Sequence, residues 1–331
     1  FDVSPDLAEC DTLLVDGKFF QNTESFSCDQ KGLLLEAWKE KCALGYFDLS
    51  DSTVITDPEV FPYVTRYFKN QLPADKSLLG RALYGNRIFT DHYHNRFRVE
   101  DGAAESHSPI LDVEAIRKIR LGWNAGLGNY ALFGPKLTTL VRSFTGQVIF
   151  APGPLYRESH LPRAIDVNCR MATNYSRATV AFQRLGVRDL LRDVAQTGRV
   201  SKFQYAHELR HSKVVVSPFG WGEINQKDFE AMIAGAALLK PDLSHLQTWP
   251  NYFIEGATYI AHRWDLSDLR EKLDLLLEND NLRIRIAKAG QESYRSAAVT
   301  GAGLAEFAER VCGITRDLVA TAASGNAENV G

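Results

Sequence analysis

Two carboxylates, Glu223 and Glu230, flank a helix start behind the glycine-bearing run Ser217-Pro218-Phe219-Gly220-Trp221-Gly222. Ahead of that run, Lys213-Val214-Val215-Val216 reads as a buried parallel strand. Behind it, Phe229, Met232 and Ile233 recur at helical spacing, and Gly235 ends the helix before a strand at Ala237-Leu238-Leu239. The loop therefore joins a strand's carboxyl end to a helix's amino end. Backbone N–H groups and the helix dipole there attract an anion such as a diphosphate. Carboxylates beside a bound diphosphate suit a different task, accepting hydroxyl hydrogens from a ribose or a sugar. A glycine-rich turn with a solvated acid pair is the alternative.

Other residues offer proton transfer or phosphate binding. Asp48 and Asp51 follow the strand-like Gly45–Leu49, where α/β ligand crevices lie. Asp51 is the first choice for taking a proton from an acceptor hydroxyl; turn capping is the other reading of both acids. His92 and His94 alternate, so on a strand they share a face; an acceptor-side or structural role suits them better than a metal, since no third ligand is near. Arg170, at the end of the expected strand Ala164–Cys169, and Arg184, on the helix after it, are candidates to clamp phosphates bidentately. Surface ion pairing is their default alternative.

Positioning these groups requires alternating strands and helices in both halves. The first half reads as strands at Thr12–Val15, Gly45–Leu49, Val54–Thr56 and Tyr63–Phe68 with a helix over Gln30–Ala43. A second glycine loop, Asn124–Tyr130, precedes a helix over Leu132–Phe144, and Pro and Gly cluster at Phe150–Leu155 as a boundary. The second half adds Thr258–Ala261 as a strand, helices through Leu269–Leu276 and Asn281–Ser293, and a last amphipathic helix through Leu304–Ile314. The expected fold class is α/β, with two doubly wound Rossmann-like domains facing each other across a cleft.

The run Ser217-Pro218-Phe219-Gly220-Trp221-Gly222-Glu223, then Glu230 with Ala231-Met232-Ile233-Ala234-Gly235, resembles the donor-binding motif of GT-B glycosyltransferases. It is most similar to the bacterial group of CgeB-like and group 1 transferases, and distantly to exostosin-type domains. The likeness continues through Leu239-Lys240-Pro241-Asp242, Thr248-Trp249-Pro250 and Trp264-Asp265, and covers residues 160–290 well and the first half loosely. Retaining enzymes of this fold usually place one residue more between the two acids than the six found here, so the resemblance does not set the stereochemistry.

The resemblance implies an acceptor-side domain over residues 1–153, a nucleotide-sugar domain over 154–302, and a terminal segment, 303–331, whose helix crosses back to the first domain. The expected donor-binding residues are Arg170, Arg184, Ser217, Gly220, Trp221, Gly222, Glu223, Glu230 and Lys240, and the expected catalytic residues are drawn from Asp51, His92, His94 and Glu223. The expected activity is a metal-independent Leloir glycosyltransferase with no cofactor beyond its nucleotide-sugar co-substrate. Its expected acceptor is a glycan or glycoconjugate, in bacterial surface polysaccharide or glycoconjugate synthesis. The alternative is a non-catalytic glycan- or partner-binding module on the same fold; an epimerase or phosphorylase of that fold is a further enzyme reading.

Composition bounds the remaining classes. The chain has 331 residues, enough for two domains, and a net charge of −3, which gives no field for nucleic acid. No apolar run approaches a membrane span. Cys10, Cys28, Cys42, Cys169 and Cys312 are scattered, without a C-x-x-C pair, so the sequence points away from zinc and to a reduced, cytoplasmic setting; a Cys10–Cys28 disulfide is less favoured. The start, Phe1-Asp2-Val3, lacks Met and a leader, and a processed piece or one module of a longer chain is expected.

Overall fold

A computed structural model describes residues 9–21, 28–102, 106–127 and 155–328. The first half builds a parallel sheet from β1 (Thr12–Asp16), β2 (Ala43–Asp48), β3 (Arg66–Lys69) and β5 (Ile119–Leu121), in the order β1-β2-β3-β5. The second builds another from β6 (Ile165–Asn168), β7 (Ser212–Val216), β8 (Ala237–Pro241) and β10 (Ile260–His262), in the order β10-β8-β7-β6. A short antiparallel pair, β4 (Gln71–Pro73) with β9 (Leu246–Thr248), joins the halves.

The central strands β2 and β8 are buried at every position, and so read as largely apolar runs without alternation. The longer helices are α1 (Cys28–Lys39), α2 (Ile88–Phe97), α3 (Ala178–Leu190), α4 (Lys202–His211), α5 (Gln226–Ile233), α6 (Leu269–Glu278), α7 (Asp280–Ala298) and α8 (Gly301–Glu328). In the second half, Val215 and Leu238 meet Phe229, Met232 and Ile233 of α5. On the opposite face Val214, Val216 and Leu239 meet Leu269, Leu273 and Leu276 of α6. In the first half, Leu44 and Tyr46 pack with Leu35 of α1, while Ala43, Phe47 and Phe68 pack with Ile314 and Leu318 of α8. The last helix thus lies on the first sheet, where Arg66 also pairs with Asp317 at 2.8 Å.

Two local readings are corrected. Val54–Thr56 forms no strand: the Thr56 backbone N–H and hydroxyl both donate to Asp48 Oδ2, at 3.2 and 2.8 Å, rather than to a neighbouring strand. His92 and His94 lie on helix α2, not on a strand. Phe89 and Tyr93, four apart, bury one face of that helix against Val180 and Phe219. The helix ends at Arg98, whose φ of 57° is left-handed. This segment packs with second-half residues although it precedes the expected boundary. The Pro/Gly cluster up to residue 154, the Leu132–Phe144 helix and most of the second glycine loop lie outside the described residues. Within the described part, Gly126 faces Phe229: a Cβ added there would lie 2.5 Å from the ring.

Candidate functional site

The glycine run emerges from β7 and enters α5, so the strand, loop, helix and strand follow one another as the sequence implies. Asn225 and Asp228 close the helix start, with the Asn225 N–H donating to Asp228 Oδ2 at 2.8 Å. Gly235, at φ +63°, releases the chain into β8. Each loop glycine has a close neighbour. A Cβ on Gly220 would sit 2.5 Å from Asn225 Oδ1, and one on Gly222 would sit 2.2 Å from the backbone oxygen of Asp51. Asp51 and the loop are therefore brought together, across the two halves. The Asp51 side chain is exposed beside that contact.

Glu223 is fully buried at the same seam. Its Oε2 accepts from the Thr53 hydroxyl at 2.7 Å and from Gln71 Nε2 at 3.3 Å, both first-half residues. His245 Nε2 stands 3.9 Å from its Oε1. Burial acts to raise this carboxyl, but the adjacent imidazole and the Thr53 hydroxyl outweigh it and hold it below the usual range. Glu230 is also buried, and its Oε2 accepts from the Tyr205 hydroxyl of α4 at 2.7 Å. Burial pushes its pKa up, against the opposing pull of that hydroxyl and of Lys227. Among the described residues, nothing donates to its other oxygen.

Cations gather in front of the loop. Arg184 Nε donates to the Phe219 oxygen at 2.5 Å and Nη1 to the Ala172 oxygen at 3.1 Å, so it buttresses the loop from below. Its guanidinium lies 5.0 Å from the Tyr175 ring centre. Tyr175 meets Trp221 edge to face at 5.3 Å, and Arg87 lies 5.6 Å over Trp221 while donating to its backbone oxygen. Arg87, Trp221, Tyr175 and Arg184 thus alternate in a row, and Trp221 is 39% exposed at its centre. Among the described residues, no carboxylate pairs with Arg87 or Arg184 within ion-pair distance. Lys227, at the first turn of α5, donates to the Val216 and Arg170 oxygens at 2.8 and 3.0 Å, and burial lowers it to about 8.

Several expected site residues serve other ends. Arg170 is held bidentately by Glu208, at 2.8 and 2.9 Å, and also reaches Gln196, so its fork is not open to phosphate. Lys240 is wholly buried, pairs with Asp228 at 3.2 Å and donates to the backbone oxygen of Glu223 at 2.7 Å; it supports the loop from inside. The Ser217 side chain is buried and, among the described residues, its hydroxyl has no hydrogen-bond partner. His92 and His94, two apart on a helix, point in different directions. His94 stacks on Tyr84 at 3.8 Å and bonds the Val99 oxygen, whereas His92 meets Trp264 at 5.0 Å. Asp48 is a buried anchor: it pairs with Lys69 at 2.9 Å and accepts from Tyr67 at 2.6 Å. Burial opposes its ionisation, yet Lys69 and these bonds prevail and hold it at about 2.

Arg87, Thr53, Gln71 and His245 escaped the sequence reading. Arg87, Thr53 and Gln71 lie in the first half and His245 between β8 and β9, and no spacing links them to the motif; only the fold does.

Residues 163–307 match a family described as glycosyl transferase-like. Among solved structures, a glycosyltransferase from Rickettsia africae ESF-5 is 10% identical with a TM-score of 0.42, covering 93% of this chain and 77% of that one. Anabaena HepE, solved with UDP-glucose, is 11% identical with a TM-score of 0.41, covering 92% and 79%. A curated protein named ribosome-binding factor A, from Clostridium novyi (strain NT), is 30% identical over 100 residues, 29% of this chain and 83% of that protein. That name points elsewhere. The glycine loop, with its strand and helix, falls inside the family match, which is therefore the one that bears on this site.

Proposed function

We propose that this chain, whose residues 163–307 belong to a glycosyl transferase-like family, transfers a sugar from a nucleotide-sugar donor to a hydroxyl acceptor. The observation that carries the reading is the row Arg87–Trp221–Tyr175–Arg184 at the mouth of the glycine loop. Two guanidinia without carboxylate partners, held by aromatic rings beside a helix start, suit a diphosphate with an adjoining base or sugar ring.

In this reading the acceptor oxygen bonds to the anomeric carbon as the bond from that carbon to the phosphate oxygen breaks. The electron pair leaves on the nucleoside diphosphate. Arg87 offsets the negative charge that grows there, with the buried Arg184 and Lys227 behind it; side-chain cations supply what a metal would otherwise provide. Glu230 accepts a ribose hydroxyl through its open oxygen. Asp51, exposed where the first half meets the loop, takes the acceptor's proton if configuration inverts. The finer placement among CgeB-like enzymes, a glycan or glycoconjugate acceptor, bacterial surface polysaccharide synthesis and a cytoplasmic setting rest on the motif and the scattered cysteines.

A second reading, a non-catalytic binding module on this fold, is favoured by one observation. Arg170, Lys240 and Glu223 are all engaged within the protein. Calorimetry with UDP, GDP, ADP, CDP and dTDP, followed by their sugar conjugates, separates the two. Binding of one diphosphate is expected; silence across the panel would leave only the module.

A further inference from the structure

A cavity of about 350 Å³ opens beside Trp264, lined in part by His92, Arg96, Phe97, Arg263, Trp264 and Asp265. Trp264 is its shared wall. The indole meets His245 edge to face at 4.7 Å, with Glu223 beyond that imidazole, and also meets His92 edge to face at 5.0 Å. The indole is fixed, because its Nε1 donates to the Asp242 oxygen at 2.9 Å and its own backbone oxygen accepts from Tyr93.

Three rings, His92, Phe97 and Trp264, stand together at this cavity, with Phe97 and His92 edge to face at 6.1 Å. Around them the charges balance. Arg96 and Arg263 are exposed and no protein group accepts from their side chains among the described residues. Of the two lining acids, Asp242 is occupied by Ser244 through both oxygens, whereas Asp265 has only Oδ1 taken, by Ser267. The free groups are thus aromatic walls, two guanidinium donors and one carboxylate oxygen. This mixture does not select an anion or an apolar chain. It matches a polyhydroxylated ring, whose C–H face packs on aromatics while its hydroxyls both donate and accept.

We propose that this cavity seats a hexopyranose ring, at a site apart from the glycine loop. The proposal does not rest on the transfer reading above. Saturation-transfer NMR on the whole chain, without nucleotide, tests it with methyl glycosides of glucose, galactose, mannose and N-acetylglucosamine. Transfer to ring C–H protons is expected for at least one. Arg96→Ser and Arg263→Ser, both at exposed positions, should each weaken that binding about tenfold while nucleoside diphosphate binding and the thermal midpoint stay unchanged. No transfer from any of the four, or transfer undiminished in both variants, overturns the proposal. Sugar binding with a silent nucleotide panel keeps the seat and removes the transferase.

Discussion

Gly222 touches the backbone of Asp51 across the seam, leaving no room for a side chain: a Cβ would lie 2.2 Å from the carbonyl oxygen. Because the obstacle is backbone, the halves must part to admit one. Gly222→Ala is expected to cost about 1–3 kcal/mol in urea unfolding. At Gly220 the obstacles are the side-chain ends of Asn225 and Arg184, which can move, so Gly220→Ala should cost less. Equal costs would show that the seam is not tight at Gly222.

Arg87→Ala should weaken nucleoside diphosphate binding by about 1.5–3 kcal/mol, the scale of hydrogen bonds to charged groups. Arg170→Ala should leave that affinity unchanged, since Glu208 already occupies the guanidinium. Calorimetry on the two variants decides between the phosphate-binding roles; the reverse pattern would restore Arg170.

Glu230→Gln should retain the fold, because the Tyr205 hydroxyl can still donate to an amide oxygen. It should weaken nucleotide binding by about 1.5–3 kcal/mol. A matched deoxyribose nucleotide tests the ribose contact: the variant and the wild type should bind it alike. Undiminished ribonucleotide affinity in Glu230→Gln removes Glu230 from the donor site.

Asp51→Asn should slow transfer about 10²–10⁴-fold while donor affinity holds, if product analysis shows inversion. Product configuration is measured first. Retention in the product, or near-normal turnover by the variant, excludes Asp51 as base.

The Asp48–Lys69 pair makes the first half acid-sensitive. The Asp48 pKa falls from 3.8 unfolded to about 2 folded. A depressed acid contributes stability above its unfolded value, here about 2 kcal/mol, and loses it as pH drops through about 2. Asp48→Asn strands the buried ammonium and should cost about 3–5 kcal/mol at pH 7. Urea titrations between pH 7 and pH 2 give both quantities; a variant with wild-type stability would show the pair is dispensable.

Elements with a strong local signature were legible: the Val214–Val216 strand, its loop and the Phe229 helix needed only periodicity and glycine. The two-half α/β plan followed from alternation alone. Asp48 and Asp51 were both placed correctly at the end of β2, yet their opposite fates, anchor and exposed seam residue, depend on Lys69 and Gly222. The His92 segment misled because two histidines at alternate positions look strand-like, whereas the helix is set by burial of Phe89 and Tyr93. Arg170 and Lys240 carry the right chemistry for phosphate, but Glu208 and Asp228, distant in sequence, reach them first.

The placement of α8 has a consequence for how the protein is made. Ala43, Phe47 and Phe68 wait for Ile314 and Leu318, and Arg66 waits for Asp317, 251 positions later. During synthesis from the amino end, this face of the first sheet lacks its α8 cover until Ile314 and Leu318 have left the ribosome. The second half, whose contacts are more nearly sequential, has by then had its chance to form. The first sheet is therefore completed after the second has been made, and Phe47 and Phe68 lack their α8 partners until then.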